Sequence, residues 1–314
     1  IENILITNGS QQGLEFLGKL LLSPNDTALV EAPTYLGALQ AFSANEPIYD
    51  ELKLENTNRT AASYSQAAKS AGGDVKFAYV VPDFSNPSGE TLDLQARQNI
   101  LQLARELDVP IIEDSPYSEL RYDGKVEPAI QALDIERCGS LDASRVIQCG
   151  TFSKAFTPGL RVGWICASRQ IIGRLTLLKQ AGDLNSSAIN QSVMLYLAER
   201  LFDDQVTKAR DSYRLKRDAM LKALRAHMPD GVRWSKPEGG LFVWVILPKE
   251  IDASDLLKKA VDQAKVAFVP GHAFFVDGRG RNTMRLSFSL PDVETIEAGI
   301  KRLSGLVKSE VMHQ

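Results

Sequence analysis

Cysteine and histidine are scarce in this sequence, three of each among 314 residues. Cys138, Cys149 and Cys166 form no C-x-x-C pair and have no histidine cluster beside them, which argues against a disulfide framework and a zinc site and predicts no bound metal. That use of cysteine fits a reducing, cytoplasmic compartment. An excess of one charge is also missing. Lys and Arg number 36 against 39 Asp and Glu, a formal net charge of −3, so no basic field exists to hold nucleic acid or an anionic membrane surface. No apolar run approaches the ~20 residues of a membrane span, and no basic-then-apolar leader opens the chain. Internal repeats and low-complexity tracts are absent. The opening "IENILITNGSQQG" lacks an initiating Met and enters a strand-like run at once, so the chain is expected to begin inside a domain.

What is present is the makeup of a globular protein with a substantial core. Hydrophobic residues are 44% and charged residues 24%, at a length that favours two domains. Ile4 to Thr7 reads as a strand, Asn8-Gly9 as a turn, and Ser10 opens a run with Leu14, Leu17, Leu20 and Leu21 at helical spacing. Further strands are expected at Thr27 to Glu31 and at "FAYVVP", which ends in the turn-rich "DFSNPSG". An amphipathic helix is expected over Leu94 to Leu107, with Ile100, Leu101, Ala104 and Leu107 on one face. "VPIIED", "RVIQCG" and "VGWICA" are apolar on consecutive positions, as strands buried on both faces are. Alternating strands and helices imply a mainly parallel sheet covered by helices, with ligands gathered at the carboxyl ends of the strands. That topology puts Asn86, Asp114 and Lys154 on one rim. Asn190 to Met228 is helical and long enough for two helices or a single one. After Pro229-Asp230-Gly231, "GGLFVWVILP", "VAFVPG" and "NTMRLSFS" read as strands, with helices near Asp255 to Ala264 and Val293 to Leu306, an α+β unit.

The chemistry concentrates in "QCGTFSKAFTPGLRVGW", Gln148 to Trp164. A lysine near a sheet rim loses its proton more readily than one in water and can act as an amine nucleophile toward an aldehyde, forming a Schiff base. Pyridoxal phosphate is such an aldehyde, and it needs phosphate donors, a carboxylate at its ring nitrogen and a donor at its phenolic oxygen. Gly9-Ser10-Gln11 at a helix start offers backbone N–H groups and a helix dipole to a dianion, and Arg161 offers a bidentate cation. Asp114 closes an apolar strand, where a carboxylate needs a charged partner such as a pyridinium N–H. Asn86 and Tyr117 can donate to the ring oxygen, and Tyr35 can lie against the ring face. Taken singly, each has a plainer role. Lys154 suits a solvated surface, Gly9-Ser10 a turn and N-cap, Asn86-Pro87 a loop, Asp114 a cap, the tyrosines a core and Arg161 an ion pair. None of those roles explains why six compatible groups fall at successive strand ends.

In "TNGSQQGL", "EAPTYLGALQAF", "PDFSNPSGETL", "EDSPYSELRY", "GTFSKAFTPGLRVGW", "KPEGGLFVWVILP", "AFVPGHAFF" and "NTMRLSFS" the chain resembles the class I/II aminotransferases, fold type I of the pyridoxal-phosphate enzymes, and most of all the 2-aminoadipate and kynurenine aminotransferase branch. The resemblance implies an α/β fold whose mainly parallel sheet is sandwiched by helices, with a smaller α+β C-terminal domain. The expected division is a large cofactor-binding domain over 1–205 and a small domain over 206–314. It further implies that Lys154 is the Schiff-base lysine and Asp114 the partner of the pyridine nitrogen, with Tyr117 beside them among the catalytic residues. Asn86 and Tyr117 serve the ring oxygen, Tyr35 stacks on the ring, and Ser10, Gln11, Thr151, Ser153 and Arg161 serve the phosphate. Arg285, with Asn86, grips the substrate's α-carboxylate. The implied reaction is ping-pong transamination between an amino acid and a 2-oxo acid, in a homodimer.

The family carries a further N-terminal segment that supplies a substrate lid and a tyrosine reaching the partner subunit's phosphate site, so the amino donor is not readable from this chain. Thr151 stands where serine is commoner and keeps the hydroxyl. His272 is expected to be structural, Cys149 and Cys166 packed thiols, and Leu184 to Gln191 to approach a partner subunit. MocR-type transcriptional regulators resemble the same domain behind a winged-helix module, so nucleic acid is expected as a partner only if a DNA-binding domain lies upstream. β-Elimination or decarboxylation on the same scaffold is a third alternative.

Overall fold

Strands apolar on consecutive positions need cover on both faces, and the helices that follow them provide it. The computed structural model describes residues 1–53 and 59–312. Two compact units are present. The first comprises Ile1–Asp83, Leu92–Glu119 and Lys125–Val206; the second comprises Phe84–Thr91, Leu120–Gly124 and the chain from Thr207 onward.

The first unit runs β1 (Ile4–Thr7), α1 (Ser10–Leu21), β2 (Thr27–Val30), α2 (Leu36–Ser43), β3 (Ile48–Glu51), α3 (Ala61–Ser70), β4 (Val75–Val80), α4 (Leu94–Glu106), β5 (Ile111–Asp114), α5 (Ile130–Cys138), β6 (Val146–Thr151), β7 (Gly163–Cys166) and α6 (Arg169–Gly182). Its seven strands lie in the order β1-β7-β6-β5-β4-β2-β3. β3, β2, β4, β5 and β6 are parallel, and β7 is antiparallel to both β6 and β1. Every residue of β2 and β5 is buried, as continuous apolar runs in a parallel sheet require. Leu29, Val80, Ile111 and Val146 of the sheet pack in one cluster with Ile100, Leu101 and Ala104 of α4, and Leu107 joins it half-buried. Asp93 starts α4 by accepting the Ala96 N–H at 2.8 Å.

The expected strands and the α4 face match this arrangement. β3, α2, α3, α5 and α6 had not been anticipated. β3, "IYDE", is half-buried throughout and, among the described residues, pairs only with β2, so it carries no continuous apolar signal. α5 has no side-chain cap from its own N-cap residue. Its first N–H groups, at Ile130 and Gln131, donate instead to the two oxygens of Glu113 on β5, each at 2.9 Å. A cap delivered from 17 positions away leaves no local trace.

The second unit is α+β. Asn190 to Met228 proves to lie mostly in one continuous helix, α7 (Ala188–His227), and the division between the units falls inside it. β8 (Arg233–Trp234), β9 (Phe242–Ile246), α8 (Ala253–Lys259), β10 (Val269–Pro270), β11 (Thr283–Ser287) and α9 (Val293–Met312) follow. Its four strands are antiparallel in the order β10-β11-β9-β8. Among the described residues no helix is long and apolar enough to cross a membrane.

Candidate active site

β5 ends in two acidic residues whose side chains, one position apart, leave opposite faces of the strand. Glu113 is spent on capping α5. Asp114, 1% exposed, accepts the Tyr79 hydroxyl from β4 through Oδ2 at 2.9 Å, while its Oδ1 is buried with no hydrogen-bond partner. Burial is the main reason its carboxyl is raised to about 6; the Tyr79 hydroxyl and the charge of Lys154 pull the other way. Burial and the neighbouring carboxylate in turn push the Tyr79 phenol well up, so it stays a donor. Cys149, beside Asp114 in the β5–β6 register, is buried and its thiol is pushed up by burial, which keeps it inert. Lys154 lies on the turn after β6, exposed, with Asp114 within electrostatic reach.

Past Lys154 the chain returns toward the start of α1. Arg161 takes a left-handed backbone (φ 52°) and its Nη1 donates to Ser153 Oγ at 3.1 Å. Thr151 Oγ1 donates to Ser153 Oγ at 3.0 Å and accepts the Ser153 N–H at 3.1 Å. Gly9, the N-cap of α1, has φ 77° and provides no side-chain acceptor for the first-turn N–H groups. A Cβ at Gly9 would lie 2.5 Å from Arg161 Nη2, and one at Gly163 would lie 2.6 Å from the Gly9 carbonyl carbon. Only glycine fits either place. Backbone N–H groups, a guanidinium and two hydroxyls thus lie close together, a set of donors able to hold a dianion. Ser10 opens α1 within it. The Gln11 amide is held by donation from Nε2 to the Gly37 carbonyl at 2.6 Å and by acceptance of the Tyr35 hydroxyl at 3.3 Å. Tyr117, on the turn after β5, is buried.

Ser10, Gln11, Tyr35, Asp114, Tyr117, Thr151, Ser153, Lys154 and Arg161 all belong to the first unit, where the structure pairs Gln11 with Tyr35, sets Lys154 within electrostatic reach of Asp114, and gathers Thr151, Ser153 and Arg161 beside the Gly9–Ser10 turn. Asn86 and Arg285 belong to the second, where Arg285 Nη1 donates to Asn86 Oδ1 at 2.7 Å. The Arg285 guanidinium lies 4.1 Å from the Phe242 ring centre and 5.1 Å from that of Phe274. His272 keeps to a local contact, its Nδ1 3.3 Å from Ser254 Oγ. Tyr79 and the two phenylalanines had escaped sequence reasoning. Tyr79 left a signal, since a tyrosine in a strand buried on both faces must find a partner for its hydroxyl.

The sequence and the fold are similar to those of known proteins. The profile of the family Aminotransferase class I and II matches residues 1–303. Aromatic-amino-acid aminotransferase 1 of Thermococcus litoralis is 43% identical over 313 residues, covering 98% of this chain and 73% of that protein. The crystal structure of the α-aminoadipate aminotransferase of Thermus thermophilus, complexed with N-(5'-phosphopyridoxyl)-L-leucine, superposes with a TM-score of 0.90 at 36% identity, covering 100% of this chain and 79% of that one. An uncharacterized HTH-type transcriptional regulator of Bacillus subtilis, YisV, is 31% identical over 303 residues, covering 95% of this chain and 59% of its own length. The chain belongs to the class I and II aminotransferase family and has the fold type I architecture. It is an aminotransferase, an enzyme that transfers amino groups.

Proposed function

We propose that the protein catalyses pyridoxal-phosphate-dependent transamination between an L-α-amino acid, namely 2-aminoadipate, an aromatic amino acid or a similar one, and a 2-oxo acid such as 2-oxoglutarate. The observation that carries this reading is the buried, unpartnered Oδ1 of Asp114, a carboxylate acceptor with a Lys154 charge nearby and the Gly9–Arg161–Ser153 cradle on the same unit. The residues present fit the cofactor. An ionised carboxylate awaiting a donor suits a pyridinium N–H, and a cradle that a single Cβ would fill suits a phosphate. When bound, the cofactor supplies an electron sink for the pair left at the substrate's Cα when a proton departs.

The chain's own residues do the rest. Asp114 holds a proton on the ring nitrogen. With the cofactor bound, the Lys154 amine would hold it and would serve as the base that takes the proton leaving the substrate's Cα. Asn86 and Tyr117 would donate to the ring oxygen, and Tyr35 would cover a ring face. Ser10, Gln11, Thr151, Ser153 and Arg161 bind the phosphate, and the Arg285 fork binds the α-carboxylate. We take 1–205 as the cofactor-binding domain and 206–314 as the smaller domain. The working form is read as a cytoplasmic homodimer. All three thiols are free, and Ile189, Val193 and Tyr196 form an exposed apolar stripe on one face of α7. The likeness to YisV supports a second reading, the effector domain of a regulator.

Turnover separates the two. A panel of amino donors with 2-oxoglutarate is expected to yield glutamate, with 2-aminoadipate or an aromatic donor preferred, and each donor alone is expected to change the cofactor's absorbance in a single turnover. An absorbance indifferent to every donor tried would rule out transamination.

A further inference from the structure

Behind the Gly9–Ser10 turn lies a polar cluster that the chemistry above does not use. Lys179 on α6 has a side chain only 5% exposed. Its Nζ donates to both carboxylate oxygens of Asp183, each at 2.9 Å, and to Gln12 Oε1 at 3.0 Å. Gln12 Nε2 donates to Asp183 Oδ2 at 2.8 Å. Asn8 Nδ2 donates to the same oxygen at 2.7 Å, and the Asn8 backbone N–H donates to Gln12 Oε1 at 2.9 Å. Asn8 is therefore held by main chain and side chain at once, and the next residue is Gly9. Asp183 gathers three donors, and its carboxyl is lowered although burial alone would raise it.

Stability alone does not explain such a cluster, because an apolar group of similar shape commonly serves a part-buried position as well as an ion pair does. The turn it grips, however, has little freedom of placement. Gly9 lies against the Arg161 guanidinium on one side, and on the other Gly163 approaches so closely that a Cβ there would lie 2.7 Å from Ser10 N. Hydrogen bonds from backbone N–H groups to an anion weaken steeply as distance and angle depart from ideal, so a small displacement of this turn matters to any ligand it holds. We propose that Asp183, with Lys179, Gln12 and Asn8, is a positioning group that sets the Gly9–Ser10 turn in the conformation that receives the phosphate of pyridoxal phosphate. This rests on the reading that the turn is the phosphate cradle.

The experiment is titration of cofactor-free protein with pyridoxal phosphate and, separately, with pyridoxal, which lacks the phosphate, for the wild type, Asn8→Ala and Asp183→Ala. The ³¹P shift of bound pyridoxal phosphate is recorded for each of the three proteins. Both substitutions are expected to weaken pyridoxal phosphate about tenfold, the effect of losing one charge-assisted hydrogen bond, to move the ³¹P shift, and to leave pyridoxal affinity within about twofold. Wild-type affinity and ³¹P shift in both variants would overturn the proposal, as would an equal loss for both ligands. Asn8→Ala decides alone if Asp183→Ala does not fold, because it removes the side-chain link between the turn and Asp183 and leaves the Lys179–Asp183 pair in place. A wild type that binds pyridoxal phosphate no better than pyridoxal removes the cradle reading itself, and this one with it.

Discussion

Asp114 shows how much a single side chain discloses about its surroundings. Its position was readable because a carboxylate closing an apolar strand demands a partner. Its actual neighbour, the Tyr79 hydroxyl, was not, because the pairing depends on the register of β4 against β5. Burial raises the Asp114 carboxyl from 3.8 to about 6. An acid raised on folding favours the folded state below its ordinary value, and that contribution is lost as pH rises through the folded one. The cofactor-free protein should therefore lose about 3 kcal/mol between about pH 4 and pH 6 from this group. Asp114→Asn is predicted to raise the melting temperature of the cofactor-free protein at pH 8 and leave it unchanged at pH 4, while abolishing transamination. Thermal unfolding at the two pH values checks this, and equal shifts at both would count against the buried-carboxylate account. Around Arg285, Phe242 supplies an aromatic face that no sequence pattern announced. Phe242→Leu is predicted to raise KM for amino and oxo acids about fivefold with a smaller change in kcat, the effect of removing a cation–π contact of about 1 kcal/mol. Steady-state kinetics with both substrates would show it.

Among the secondary-structure elements, those that could be recognised in advance were the ones whose cause is local. β2, β5 and β6 announce themselves by unbroken apolar runs and α4 by its period. α5 and β3 depend on what lies across the sheet, so nothing near them in sequence marks them. Arg97 is a second case of the same kind. By pattern it sits among the polar positions of α4, yet it is fully buried. Its Nε donates to the Leu92 carbonyl at 2.9 Å and its Nη2 to the Pro82 carbonyl at 3.2 Å and to Asp83 Oδ1 at 2.9 Å. These groups are the two stems from which the segment carrying Asn86 departs, and one guanidinium ties them together. Arg97→Leu is predicted to destabilise the protein by about 3 kcal/mol or more, because Asp83 and the Leu92, Pro82 and Pro128 carbonyls all lose the Arg97 guanidinium together. Denaturant unfolding measures the loss, and a change below about 1 kcal/mol would mean that water replaces the side chain without penalty.

For the molecule as a whole, family and architecture were legible because the motifs are spread along nearly all of the chain. The proposed homodimer rests on less. The apolar stripe on α7 becomes visible once Ile189 and Tyr196 are seen to be 75% and 59% exposed on a single helix face. Sedimentation is predicted to give twice the chain mass for the holoenzyme, and Ile189→Glu with Tyr196→Glu to shift it toward the monomer. An unchanged dimer in that double variant would place the interface elsewhere.

One pairing in the sheet also governs when the site comes into being. β1 is joined to β7 alone, with Ile4 opposite Cys166. The glycine turn after β1 is synthesised about 160 positions ahead of the strand that brings Arg161 and Gly163 over it. Closing so wide a span is entropically slow. On the reading of that turn as the phosphate cradle, a chain that ends before β7 is predicted to bind pyridoxal phosphate no better than pyridoxal, because Arg161 and Gly163 lie just ahead of or within that strand.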